Sequence, residues 1–154
     1  AHPDVTKPFR IITDASGVGL GAILAQLDEK NVEKVICFAG RTLNEAGRRY
    51  TTGERELLAV RWAVRKFRCY VYGVSFDVFT DHKPLVHLKT SNNPSDRMLK
   101  WILELEEYNA TYHFRPGKFN VPADVRREYM KKKSLISGMK EKNGRISFGR
   151  TKQY

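Results

Sequence analysis

Cysteine is scarce in this chain: Cys37 and Cys69 are the only two among 154 residues. Two thiols cannot build the multi-bridge framework of a small secreted domain. Both lie in apolar stretches, so two buried, reduced thiols in an intracellular protein are expected. No run of about 18 apolar residues occurs, so no helix is expected to span a membrane. A charged-then-apolar leader is missing too, and no secretory signal is expected. There is no Walker loop, no paired-cysteine zinc spacing and no HExxH. Negative charge is also short, with 17 Asp and Glu against 28 Lys and Arg for a net charge of +11. The excess is uneven. Residues 125–154 hold ten Lys and Arg against Glu128 and Glu141, which is +8 and leaves +3 for residues 1–124. A basic balance of this kind suits a polyanionic partner, most commonly nucleic acid, although a Lys-rich end is often only a solvated tail.

What is present is a globular α/β pattern. Residues 1–8 read as an extended linker from a preceding domain. Phe9 to Thr13 reads as a strand. Residues 18–27 are apolar on both faces, as an interior strand would be. Asp28-Glu29-Lys30-Asn31 reads as a hairpin turn, and Lys34 to Ala39 as a third strand. The period then changes. Thr51 or Thr52 can cap a helix running to about Tyr70, with Leu57, Leu58, Val60, Ala63, Val64 and Phe67 at helical spacing. Gly73 stops it, and Ser75 to Thr80 reads as a fourth strand. A strand, a long helix and a strand imply a parallel crossover. A short helix is expected near Lys83 to Leu88. Another runs from about Asn92–Ser95 to Glu107 with Met98, Trp101, Ile102 and Leu105 on one stripe, and a fifth strand covers Ala110 to Phe114. The expected fold is α/β: a mixed five-stranded sheet, three antiparallel strands then two parallel, with helices against it. The domain spans residues 9–129, and residues 130–154 read as a basic, weakly ordered tail.

Four carboxylates carry the chemistry. Asp14 and Asp81 each end a strand, and adjacent strands would bring them to one edge of the sheet. Glu56 lies on the helix face of Ala59, Val60 and Ala63, which packs on the sheet, whereas Glu54 and Arg55 read as polar-side residues. Asp124 follows a loop punctuated by Pro and Gly. Singly, each Asp also suits a turn or helix cap, and Glu56 a first-turn position. Together they form a cluster that protons or cations must neutralise, because two unit charges 4 Å apart repel by about 4 kcal/mol at an effective dielectric of 20. Hard oxygen ligands select Mg²⁺ or Mn²⁺, and two such ions serve in-line displacement at phosphorus. Other motifs fail. Gly17-Val18-Gly19-Leu20-Gly21-Ala22 fits a dinucleotide pattern but runs into a strand, with no acidic residue about 20 positions on. His82 and His87 do not share a helix face.

Many short stretches then recur in a known order. They are Pro8-Phe9 through Thr13-Asp14-Ala15-Ser16, Gly19-Leu20-Gly21-Ala22, Arg41-Thr42-Leu43, Tyr50-Thr51-Thr52 and Glu54-Arg55-Glu56-Leu57-Leu58-Ala59. Lys66-Phe67-Arg68, Tyr72-Gly73, Phe79-Thr80-Asp81-His82-Lys83-Pro84-Leu85 and Arg97 with Trp101 follow. Arg115-Pro116-Gly117-Lys118, Asn120-Val121 and Ala123-Asp124 close the series. Over about residues 3–124 the chain resembles the ribonuclease H domain of gypsy-type LTR-retrotransposon reverse transcriptases. The resemblance implies a metal-dependent endonuclease that cuts the RNA strand of RNA/DNA hybrids, beside a polymerase domain in a parent polyprotein. Asp14, Glu56, Asp81 and Asp124 fall on its four metal-binding carboxylates, with Asp14 touching both ions. Ser16, Thr51, Thr52 and Lys83 are candidate contacts to the nucleic-acid backbone, and 2′-hydroxyls in a wide minor groove would set substrate choice. An intracellular, cytoplasmic location within a virus-like particle is also implied.

The chain departs from the family after Asp124. Val125-Arg126-Arg127-Glu128 stands where small, leucine, serine and arginine residues usually follow, which should weaken docking of a last helix. No histidine lies in the loop before Asp124, where many ribonucleases H place one, and the gypsy group resembles this sequence in lacking it. The chain reads as a piece of a polyprotein or a truncated element copy. The alternative reading is a catalytically impaired nucleic-acid-binding or tether module of the same fold.

Overall fold

The first three strands fold by local pairing. Strands β1 (Phe9–Ala15), β2 (Gly19–Leu27) and β3 (Glu33–Thr42) form an antiparallel meander. The computed structural model describes residues 2–81 and 95–115, together with Arg127 and Lys131. At the β2–β3 turn the Asp28 carboxylate accepts from the backbone N–H of Lys30 (2.8 Å) and Val32 (2.9 Å), and Asn31 takes φ 59°. Asp and Asn suit such a turn because their side chains bond locally and Asn tolerates the left-handed region. Preceding β1, the chain is held by Gln26, which donates to the carbonyls of Asp4 (2.7 Å) and Lys7 (3.0 Å).

Two helices then lead back across the sheet. Helix α1 (Glu45–Arg48) is capped by Asn44, and α2 (Thr52–Lys66) by a capping box. The Thr51 hydroxyl accepts from the N–H of Glu54, and the Glu54 carboxylate accepts from the N–H of Thr51, both at 3.2 Å. Thr51→Ala should therefore cost about 1 kcal/mol. A lower melting temperature with unaltered hybrid affinity would make Thr51 a cap alone; a loss of affinity would add a substrate contact.

The expected single helix to Tyr70 is broken. Phe67 leaves helical geometry at φ −100°, ψ 18°, and a separate turn, α3 (Arg68–Val71), follows. The bend lets Phe67 and Val71 both bury, and it sets the Tyr70 ring 5.7 Å from that of Phe9. Gly73, at φ 79°, ends the segment where a residue with a Cβ would be strained.

Strand β4 (Phe76–Thr80) pairs parallel with β1, helix α4 (Asp96–Leu105) starts at the Ser95 cap, and β5 (Ala110–Phe114) pairs parallel with β4. The sheet order is β3-β2-β1-β4-β5, so the mixed five-stranded sheet expected from sequence is the one that forms. Alternation along β1 sends Phe9 and Ile11 into the main core with α2, and Ile12 into a smaller cluster with Ile23, Ala25 and Phe79 on the other face. On α4, Trp101 and Leu105 are buried, with Met98 and Ile102 packed beside them. Cys37 is half-buried but Cys69 is exposed, against the expectation that both are buried, because Cys69 sits on the outer side of α3 rather than in a longer α2. The expected helix near Lys83 and, Lys131 apart, the tail of residues 130–154 lie outside the described residues.

Candidate active site

The parallel pairing of β1 and β4 runs Arg10 with Asp77, Ile11 with Val78 and Ile12 with Phe79. Two more steps along the same register set Asp14 level with Asp81. Neighbouring strands stand about 4.8 Å apart. The half-buried Asp14, next to last in β1, and the exposed Asp81, one residue past β4, thus stand in one row at the C-terminal ends of adjacent strands.

The course of α2 brings Glu56 to the same end. Its approach begins at Leu43, whose N–H bonds to the carbonyl of Val18 in the β1–β2 turn (2.9 Å). Its far end leads to Tyr70, against Phe9 at the start of β1. Helix α2 therefore runs antiparallel to β1, and its first turns lie at the C-terminal ends of β1 and β4. Glu56 is 5% exposed, on the face packed against the sheet as its spacing predicts. Alternation puts Asp14 on the other face, with Arg10 and Ile12. Glu56 and the two aspartates thus reach this end of the sheet from different layers. Among the described residues no three His, Cys, Asp or Glu side chains form a group able to hold an ion. Asp124, like Lys83, His82 and His87, lies outside the described residues.

The oxygen donors suit a hard divalent cation. Carboxylates gathered at one end of a sheet repel one another, and a cation between them relieves that. Asp14, Glu56 and Asp81 offer no nitrogen or sulfur, which matches Mg²⁺ or Mn²⁺ rather than zinc.

Glu54 differs from its expected place. It is buried, at 9% exposure, rather than on a solvated side. Helix α4 packs against the first turns of α2 and brings Arg97 within 2.8 Å of the Glu54 carboxylate. The Arg97 guanidinium also lies 4.2 Å from the Tyr50 ring centroid. Burial pushes the Glu54 carboxyl up, but hydrogen bonds from Arg97 and Thr51 outweigh it and hold the group below the usual carboxylate range. Glu54 is thus a neutralised cap residue, and Glu56 keeps the candidate role.

The backbone-contact candidates are unequal. The Ser16 hydroxyl oxygen accepts from the N–H of Val18 (3.3 Å) and Gly19 (3.1 Å), so it holds the β1–β2 turn together. Thr51 is exposed and caps α2, and Thr52 is exposed in the first turn.

One network had no signal in sequence. Glu33, at the start of β3, has a side chain only 5% exposed. It accepts from Arg10 on β1 (2.8 Å) and from both terminal nitrogens of Arg115, just past β5 (3.1 and 3.4 Å). Both guanidiniums lie over the Phe79 ring, at 4.8 Å and 4.1 Å from its centroid. The His113 ring also stacks on Phe79, with centroids 4.8 Å apart, while its Nε2 is 2.7 Å from the Asp77 carboxylate. Glu33 and Arg115 are 82 residues apart, and periodicity cannot couple positions so distant.

Known proteins place this arrangement. The family model for the RNase H-like domain found in reverse transcriptase matches residues 4–108. The chain is 39% identical over 126 residues to the retrovirus-related Pol polyprotein from transposon opus of Drosophila melanogaster, covering 81% of this chain and 12% of that protein. It is 38% identical over 125 residues to the corresponding polyprotein from transposon gypsy, again of Drosophila melanogaster, covering 80% and 12%. It thus spans about a tenth of the length of these curated relatives. Among solved structures, a foamy viral protease-reverse transcriptase in complex with dsDNA superposes with TM-score 0.64 at 18% identity, over 78% of this chain and 26% of that one. An RNase H1 isolated from compost, in complex with RNA/DNA hybrid, superposes with TM-score 0.55 at 18% identity, over 82% and 99%. Likeness at such identity establishes the shared fold.

Proposed function

Since the chain belongs to the family of RNase H-like domains found in reverse transcriptase, we propose that it hydrolyses the RNA strand of RNA/DNA hybrids as part of a retrotransposon polyprotein. The observation that carries the proposal is the row formed by Asp14 and Asp81 at the sheet end where α2 brings in Glu56. Complexes of the compost RNase H1 and of the foamy viral protease-reverse transcriptase with RNA/DNA hybrid support the substrate class.

Asp14, Glu56, Asp81 and Asp124 would hold two divalent ions, which when bound supply an activated water and charge stabilisation at the leaving oxygen. The protein contributes direction. Asp14 pairs with Gly21 of β2, on a strand that β4 flanks as far as Ile12, so its backbone is held in the sheet. Glu56 starts from a capped helix packed on the sheet. Asp81 follows β4 directly, and its exposure leaves it open to substrate and solvent. The polymerase domain of the parent polyprotein is the proposed neighbour.

The full 154-residue chain, given labelled hybrid with Mg²⁺ or Mn²⁺, should cut the RNA strand and leave single-stranded RNA and the DNA strand whole. Hybrid binding without cutting at any concentration of either ion would replace this proposal with a binding module.

A further inference from the structure

We propose that Arg97 is a positioning residue for Glu56, which it aims by clamping the first turn of α2 to α4. The inference rests on the proposed function and deepens it, because it gives a residue outside the carboxylate set a part in the same site. Glu54 pairs with Arg97 and Arg61 with Glu104, each across 43 residues, so α2 and α4 lie side by side and parallel, tied at two places. The tie at the site end gathers several groups. Arg97 donates to one oxygen of Glu54 at 2.8 Å, and the other oxygen accepts from the N–H of Thr51, the cap residue of α2, at 3.2 Å. The same guanidinium lies 4.2 Å from the centroid of the Tyr50 ring. Trp101, one turn further along α4, sets its own ring 5.8 Å from that of Tyr50. Helix α4 is fixed there in turn, since the Ser95 hydroxyl caps it by accepting from the N–H of Met98 at 3.3 Å.

Glu56 needs such a clamp. It is the fifth residue of α2, so its direction depends on the first turn keeping its shape. Helix starts have N–H groups without intrahelical partners, and they fray. Gly53 stands in this turn and adds backbone freedom. Residues two apart point to nearly opposite sides of a helix, so Glu54 reaches α4 while Glu56 faces the sheet. Holding Glu54 therefore fixes the rotation of the turn that aims Glu56. A misplacement of about 1 Å at a ligand is enough to cost about a hundredfold in rate. Groups that orient metal ligands without touching the metal typically contribute about 10- to 100-fold.

Arg97→Gln is the informative variant, and Arg61→Gln, at the tie two turns further along α2, is its control. Three quantities are read: thermal melting, Mn²⁺ affinity of the protein alone by calorimetry, and kcat and KM on hybrid. Both variants remove one cation from a partly exposed pair, and both should melt within a few degrees of wild type. Arg97→Gln should lose about tenfold in kcat and several-fold in Mn²⁺ affinity, with KM kept within about twofold. Arg61→Gln should keep kcat and Mn²⁺ affinity at wild-type values. Arg97→Lys, which keeps the charge but not the planar guanidinium over Tyr50, should recover part of the loss. In a Glu56→Gln background, Arg97→Gln should lower Mn²⁺ affinity no further, since its effect passes through Glu56. An active wild type with undiminished kcat in Arg97→Gln overturns the inference alone. An equal loss in Arg61→Gln also overturns it, because the effect is then a general loosening of α2 against α4. A raised KM at unchanged kcat makes Arg97 a substrate contact and overturns it too. So does an equal loss of Mn²⁺ affinity with and without Glu56→Gln. A wild type that neither binds Mn²⁺ nor cuts hybrid removes the proposed function, and this inference with it.

Discussion

Asp14→Asn should reduce cleavage of the RNA strand by a factor on the order of a thousand while hybrid binding persists. The substitution keeps size and shape and removes one negative charge. Asp14 is the residue at which the constraints on the proposed site meet. It is next to last in the central strand, paired with β2 on one side and with β4 as the neighbour on the other. Its row continues to Asp81. Deleting the charge removes a ligand that no neighbour on β1 can replace, because Thr13 and Ala15 point to the opposite face. The fold should survive the change, because Asp14 makes no part of the apolar core. Hybrid affinity should stay within a few-fold, since one fewer negative charge opposes a polyanion less. Asp81→Asn, in the same row, should behave alike. Cleavage at the wild-type rate in Asp14→Asn would remove Asp14 from the site and with it the proposed arrangement.

Glu33→Ala should destabilise the fold by about 3–5 kcal/mol, with melting lowered on the order of 10 °C. The reason is what remains, not only what is lost. Arg10 and Arg115 share one partner, and both side chains are about four-fifths buried. Without Glu33 two guanidiniums face each other over Phe79, and the unpaired charges must be solvated or the face must open. Glu33→Gln should cost less, because an amide oxygen still accepts from one arginine. Lys7→Ala offers a contrast: its partner Asp4 is half exposed at 3.9 Å, and melting should match wild type. Chemical denaturation of the three variants distinguishes these cases. Glu33→Ala melting with wild type would mean the network contributes little.

Local rules made part of this legible in advance. The meander was readable because Asp28 to Asn31 is turn chemistry and the flanking runs have strand period. Helix α2 was readable from its apolar stripe, and Glu56 could be placed on the buried side because helical geometry fixes which residues lie three and four apart. The break at Phe67 was not readable, since it follows from packing Tyr70 on Phe9 at the far end of the sheet. Glu54 was misplaced on the solvent side because nothing near it in sequence announces Arg97, 43 residues on.

The amino-acid sequence by itself determined the five strands, helices α2 and α4, the side of α2 on which Glu56 stands and the family to which these motifs belong. Each of these depends on spacing within a few residues, which backbone geometry converts directly into direction. Tertiary structure alone decided that Asp14 and Asp81 share a row, that Arg97 neutralises Glu54 and that Glu33 gathers Arg10 and Arg115. Those pairings join residues tens of positions apart, and they form only once the sheet order brings β1, β4 and β5 side by side.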